Sequence, residues 1–439
     1  MSVPGIPNFD PEPHFAPREA PTTLVRAAQV LTVVGVLSLI GGLVAGDPTK
    51  TRIAFLVNLV YFTGLSLGGL AFAIGATLTL ARWSRPLKRI AEGMLLYMPV
   101  LWVLVLVFFL TGGLELYEWN THPEVVHGHK AIWLVGPFMV GRQLFTLGLL
   151  TLLGMAYLRA SLRPDLGVAG AALGDKAPAW WSRINAGFGD ADAEVAEAQS
   201  RMTLLSPFIG IGFALTLTFF AFDVSMSLAP HWYSNMFGGW FFMSCFLLGM
   251  VWLGLLSLGF RDWLGITKYL KGSVYHDLGK LIFGFTMFWG YTFYAQLLPI
   301  WYGNMTEEIG FLLVRFSLEP WSTMTVIVGT MVFLIPFITL LSRGIKKLPM
   351  GFSIVLSISA TGLLLERFLV IAPSVWTEAT LPVDVFSIGI TAGFLGGFLW
   401  VVTKFLSSVP AMPITDPYMK PNPLDVHAHS LDHDPAHAH

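Results

Sequence analysis

Arg142, Asp223, Glu366, Arg367, His276, Asp277, Lys280, Glu92 and Tyr97 stand inside or at the edges of long apolar runs, and the chemistry they share is holding and passing protons. A charged side chain at mid-bilayer costs about 2.5–3.5 kcal/mol even on insertion scales, so each needs a counter-charge, a water-filled cavity or a function. Arg142, in Val140-Gly141-Arg142-Gln143, lies too deep to snorkel and calls for a carboxylate, either to fix helix packing or to serve function. Asp223 is flanked by bulky apolar groups in Phe219-Phe220-Ala221-Phe222-Asp223-Val224-Ser225. A carboxyl group able to shed its charge suits that setting and suits proton exchange; the alternative is a helix-end cap, since Ser225, Ser227 and Pro230 follow. Glu366 and Arg367 are sequence neighbours, about 100° apart around a helix, which sends each to a different neighbour. Tyr275-His276-Asp277-Leu278-Gly279-Lys280 opens a helix with His276 and Lys280 one turn apart and Asp277 beside them. That cluster is a proton-admitting mouth or a capped, solvated helix start. Glu92 and Tyr97, about a turn and a half apart with Pro99 as a kink point, would extend a path.

The elements that must position these residues follow from composition. Of 439 residues, 54% are hydrophobic, 14% aromatic and only 12% charged, and the mean hydropathy is +0.67. Soluble domains carry about 25% charged residues, so an ordinary soluble enzyme is excluded. Lys plus Arg number 26 against 27 Asp plus Glu, which leaves no basic field to attract nucleic acid. The single cysteine, Cys245, can form neither a disulfide framework nor a thiolate-ligated cluster, so an iron–sulfur centre belongs to another chain. His231 and His276 lie near membrane edges and His122, His127 and His129 in a connection, which leaves no facing pair to grip haem. A Gly-Lys-Ser/Thr phosphate loop is missing too, so ATP-driven transport has no support.

Ten apolar stretches reach the roughly 20 residues needed to cross a bilayer: 24–45, 53–80, 89–112, 131–160, 202–228, 234–260, 275–302, 316–341, 350–372 and 383–407. Runs such as 100–110 show no alternation of polar residues, which excludes a β-barrel. The sequence therefore predicts an all-α polytopic membrane protein, with residues 1–23 preceding the spans, a loop at 161–200 and a flexible, His-rich tail at 408–439. The N-terminal segment has no basic n-region or small-residue cleavage site, so the first helix is expected to stay. The histidines of the tail, His427, His429, His433, His437 and His439, have no ordered metal-ligand spacing. Lys and Arg crowd the connections after helices two, four, six and eight, which places both termini in the cytoplasm. Tyr117, Trp119, Trp232, Tyr233, Trp301, Tyr302 and Trp376 then form an aromatic belt at the outer interface. The long loop divides the spans into four-helix groups, helices 2–5 and 6–9, with helices 1 and 10 at the flanks. The two groups share one in–out direction, as parallel repeats do, with Glu92 matching Asp277 in depth and Asp223 matching Glu366. Gly64 and Gly68, and Gly389, Gly393 and Gly397, recur every fourth residue and make smooth packing faces.

Three strings carry a family resemblance: Phe219-Phe220-Ala221-Phe222-Asp223 running through Met226-Ser227-Leu228 to Pro230-His231-Trp232-Tyr233-Ser234; His276-Asp277-Leu278-Gly279-Lys280; and Ile300-Trp301-Tyr302-Gly303-Asn304 with Glu307-Glu308. Together they resemble the ActF-type, NrfD-like (polysulfide-reductase-type) membrane subunits of bacterial alternative complex III, over helices two to ten. Ala229 departs from the acidic residue that many relatives carry before Pro-His-Trp-Tyr. The resemblance implies two four-helix bundles flanked by single helices, in the bacterial cytoplasmic membrane. It implies a quinol:electron-acceptor oxidoreductase in which an ActC-like sister subunit oxidises quinol. Iron–sulfur clusters and haem c then reside in partner subunits, and this chain is expected to bind no cofactor of its own, with quinone or quinol left open as a possible ligand. It implies a proton-conducting role, for which the residues read above would supply the path: His276, Asp277 and Lys280 at the entry, Glu92 and Tyr97 as an extension, and Asp223, Glu366 and Arg367 governing the outer half. The alternatives are a structural and quinone-pool scaffold and, behind it, a stand-alone secondary transporter.

Overall fold

The computed structural model describes residues 12–419 and contains no strand among them. Ten helices are long and apolar enough to span a bilayer: α1 (Thr22–Val44), α2 (Pro48–Leu78), α3 (Arg85–Leu110), α4 (Gly136–Leu173), α5 (Ala191–Leu228), α6 (Asn235–Phe260), α7 (Gly272–Gly303), α8 (Trp321–Leu341), α9 (Pro349–Val375) and α10 (Val385–Ser408). Each overlaps one of the ten apolar stretches. Helices α2 to α5 close one four-membered ring of neighbours and α6 to α9 close a second, while α1 pairs with α10 along the side of the first. The expected pair of flanked bundles is the architecture observed.

α2 is the axle: buried along its length, it touches both bundles and α10. Its start is fixed by Asp47, whose carboxylate accepts from the Thr49 and Lys50 amides at 2.8 and 3.3 Å ahead of Pro48. Glycine lets the backbones close. A Cβ on Gly68 would lie 2.4 Å from the Cys245 carbonyl oxygen and 2.8 Å from Gly249 Cα, and one on Gly393 would lie 2.4 Å from Gly35 Cα. Gly393→Val is therefore expected to separate α10 from α1, cost more than the about 1–3 kcal/mol of ordinary overpacking, and lower the unfolding midpoint in detergent. Gly75→Ala, with nothing within 4 Å of the new methyl, should leave the midpoint unchanged or raise it.

Proline and π-turns break the helices where side chains must be aimed. α3 is two pieces, Arg85–Leu95 and Met98–Leu110, because Pro99 has no amide to donate to the Leu95 carbonyl. α5 widens into a π-turn at Ala221–Ser225, which carries Asp223. α8 has a second π-turn at Thr330–Leu334, ahead of Pro336.

Three features differ from the sequence expectation. Residues 161–200 are mostly helix: α4 runs on through an Ala-rich stretch to Leu173, and α5 begins at Ala191 behind Asp190, which caps the Ala193 amide at 3.0 Å. The acidic run is thus a helix first turn, where negative charge is favoured. Residues 409–419 fold back under the first bundle, burying Val409, Met412, Ile414 and Met419; the tail histidines lie outside the described residues. Of the aromatic belt, Tyr233, Trp301 and Tyr302 are exposed, but Tyr117, Trp119, Trp232 and Trp376 are buried. Tyr117 and Trp376 are turned inward by hydrogen bonds to the carbonyls of Val224 and Thr380, at 3.0 and 2.8 Å.

Candidate functional site

The ionisable residues gather at two levels in each bundle. One end of the molecule carries the Lys- and Arg-rich connections and is called the basic end here; the opposite end carries the exposed Trp and Tyr side chains. Toward that aromatic end of the first bundle, the π-turn swings Asp223 inward, where it is fully buried. Arg142 on α4 reaches it through Nε at 2.7 Å and Nη2 at 2.9 Å, Trp133 Nε1 donates at 2.8 Å and Gln143 Nε2 at 2.5 Å. The guanidinium is sandwiched over the rings of Trp133 and Phe138, 3.8 and 4.5 Å from their centroids. Four donors converge on a carboxylate that carries no donor itself, so Asp223 is a fixed counter-ion. It is the partner that the depth of Arg142 demanded. Ser227, one turn on, donates to the Asp223 carbonyl.

At the basic end of the same bundle, Arg85, Lys88, Arg89 and Glu92 all project inward from the first turns of α3 and are buried. Arg89 bridges Glu92 at 2.6 Å and Asp165 on α4, and Ser161 donates to Glu92 at 2.5 Å. The folded-back segment completes the set. Thr415 donates to Asp165 from its amide and its hydroxyl, at 2.8 and 2.6 Å, and Asp416 accepts from Arg85 at 3.2 Å and Lys88 at 3.3 Å. Three cations thus face three carboxylates. Burial raises the Asp416 pKa, but Lys88 and Arg85 outweigh burial and hold it below its ordinary range. Tyr97 is not brought to Glu92; its hydroxyl donates to the Phe394 carbonyl on α10 at 3.3 Å, beside Gly397. Tyr97 stands in the break between the two pieces of α3, where the chain turns to a different face.

In the second bundle Glu366 and Arg367 pair with each other, Nη1 to Oε1 at 2.7 Å, which corrects the expectation that each reaches a different neighbour. The long guanidinium arm curls back across the 100° step because Ser244 on α6 holds both ends, donating to Glu366 and accepting from Arg367 at 3.0 Å. At the basic end Lys280 contacts Asp277 at 2.7 Å and His276 Nδ1 lies 3.6 Å from it, with all three side chains partly open to solvent. Lys346, packed on Gly279, adds a fourth group; burial and then the Lys280 ammonium lower its pKa. Between this cluster and Glu366, the hydroxyls of Thr286 on α7 and Ser359 on α9 are buried without a hydrogen-bond partner. At 1.5 Å per residue they stand about 21 and 15 Å along their helices, and Glu366 about 25 Å.

A cavity of about 480 Å³ opens beside Glu366, walled by Trp240, Trp289, Phe293, Phe311 and Phe333. Its other charged residue, Arg315, sits on the short helix Thr306–Ser317 and makes no ion pair among the described residues. Arg315 instead donates to the carbonyls of Leu369 and Val370 at 3.0 and 2.8 Å. Pro373, which has no amide, leaves the Leu369 carbonyl without its helical donor, so Arg315 caps the carbonyl end of α9.

Sequence reasoning did not find Asp165, Asp416, Gln143, Ser244 or Arg315 as members of these clusters. Asp165 and Asp416 were hidden by lying in stretches that read as loop and tail. The available signal was Arg85, Lys88 and Arg89 opening one helix: three cations against the dipole, with only Glu92 nearby, require further carboxylates. Among the described residues no group of His, Cys, Asp and Glu is arranged to hold a metal ion. Compared with protein-family models and with curated proteins, the chain finds no match in either, and what stands is a polytopic, all-helical membrane protein with ten candidate spans.

Proposed function

We propose that this chain is an integral membrane subunit of a quinol:electron-acceptor oxidoreductase of the alternative complex III type, and that its second bundle carries protons across the bacterial cytoplasmic membrane. Quinol oxidation belongs to an ActC-like sister subunit, and the iron–sulfur clusters and haem c to further partners. Both termini lie in the cytoplasm, which makes the basic end the cytoplasmic one. The observation that carries the reading is the column of groups in the second bundle. Half-open His276, Asp277 and Lys280 stand at one end, the partnerless buried hydroxyls of Thr286 and Ser359 at intermediate heights, and Glu366 on the wall of a cavity at the other. Hydroxyls without partners in a low-dielectric interior are costly unless water or a shared proton satisfies them. Asp277 would collect a proton, and Glu366, held by Arg367 and Ser244 on the wall of the cavity, would be the next carboxyl group along the column.

The scaffold reading is favoured at one place, the Asp223–Arg142 clamp, where four donors already hold the carboxylate. Both roles fit one chain, with the first bundle as support and the second as path.

Quinol-driven proton release from the intact complex in liposomes, recorded with the electron-transfer rate in the same vesicles, tests this. Glu366→Gln and Asp277→Asn should keep electron transfer and lower the protons released per electron toward the yield of quinol oxidation alone. Assembled variants with the full proton yield would sink the path and leave the scaffold.

A further inference from the structure

On the lipid-facing side of the first bundle, α4 and α5 meet at the basic end in a groove of about 460 Å³ whose walls include Arg159, Arg163 and Arg201. Two of the three are committed. Arg163 forks Glu194 at 2.7 and 2.8 Å and gives its remaining nitrogen to the carbonyls of Ile184 and Ala186. Arg201 holds Glu197 at 2.5 Å with both side chains more than half exposed. Arg159 is exposed and has no hydrogen bond or ion pair among the described residues.

Away from the arginines the groove continues as two apolar tracks. Leu204, Phe208 and Ile211 on α5 are 61–65% exposed, and Leu149 and Leu152 on α4 are 47% and 69% exposed. Their spacing keeps each row on one helix face. A cation with no counter-charge, set at the head of a double row of exposed apolar side chains, is complementary to a molecule with one anionic head and hydrocarbon tails. We propose that this groove binds an anionic glycerophospholipid, its phosphate against Arg159 with Arg201 at the rim and its acyl chains along the two tracks. A phosphate brings acceptor oxygens that the partnerless guanidinium of Arg159 lacks, and basic pockets between membrane helices on the cytoplasmic side are suited to such heads. Glu194 pairs with Arg163 and Glu197 with Arg201, so the three arginines and two carboxylates leave one net positive charge for one phosphate. The inference is independent of the proton path, which uses none of these residues.

The test titrates the full-length chain, delipidated in a neutral detergent, with phosphatidylglycerol or with phosphatidylcholine of the same acyl chains, reading bound lipid by native mass spectrometry. Phosphatidylglycerol should be retained in preference, and the preference should fade with added salt. Each basic residue near a membrane surface is worth roughly a fivefold change in affinity. Arg159→Gln should therefore weaken phosphatidylglycerol about fivefold, and Arg159→Gln with Arg201→Gln by considerably more. Lys404→Gln, an exposed change elsewhere at the basic end, should leave retention unchanged and shows that general charge is not what is read. Equal retention of the two lipids, or full retention by a double variant that remains monodisperse, overturns the proposal.

Discussion

Asp223→Ala is expected to be the most destabilising substitution in the first bundle, with a loss of about 3–5 kcal/mol as for one member of a buried ion pair. The carboxylate is fully buried and receives Arg142, Trp133 and Gln143. Its removal strands a guanidinium between two aromatic rings, and an indole and an amide lose their acceptor at the same time. Asp223→Asn keeps the shape but presents a donor where Arg142, Trp133 and Gln143 all donate, so it should lie close to alanine. Arg142→Met combined with Asp223→Leu, which withdraws both charges and restores apolar volume, should recover much of the loss. Thermal unfolding in detergent, followed by tryptophan fluorescence, gives the ranking. An alanine variant as stable as wild type would show that the clamp contributes nothing.

The second large effect is expected at Asp416. Asp416→Ala leaves Arg85 and Lys88 buried with no carboxylate of their own, since Arg89 already engages Glu92 and Asp165. The expected cost is again about 3–5 kcal/mol, and residues 409–419 should become open to protease. The same latch predicts a pH response. The Asp416 carboxyl is held below its ordinary value, so its contribution is present in full above the unfolded value of about 4 and is lost as pH falls through the lower folded value. Acid should therefore loosen the segment in wild type, while Asp416→Asn should be loose already near neutrality. Protease access to 409–419, measured against pH in both proteins, checks the sign.

How much of this was written in the sequence depends on range. Each span was legible because hydropathy is a local sum, and the Gly35–Gly393 and Gly68–Gly249 contacts were foreshadowed by glycines at helical spacing. Arg142 could be read as needing a carboxylate, but the choice of Asp223, 81 residues on, is made by a π-turn that no periodicity announces. Glu366 and Arg367 were misjudged because the 100° rule describes Cβ directions, whereas a guanidinium has the length to turn back. Residues 409–419 read as tail because Pro410, Pro413 and Pro417 forbid a helix; yet Val409, Met412 and Ile414 alternate with them and find the underside of the bundle.

That underside has a consequence for biogenesis. Arg85 and its carboxylate partner are 331 residues apart, so while the chain is made, α2 to α5 are inserted with two cations still lacking Asp416. The N-terminal bundle then stays electrostatically unfinished throughout synthesis of the C-terminal bundle, because the latch follows the last helix in the chain. A chain truncated anywhere before Asp416 would carry surplus positive charge at the basic end of its first bundle, a mark by which quality control could tell an incomplete chain from a finished one.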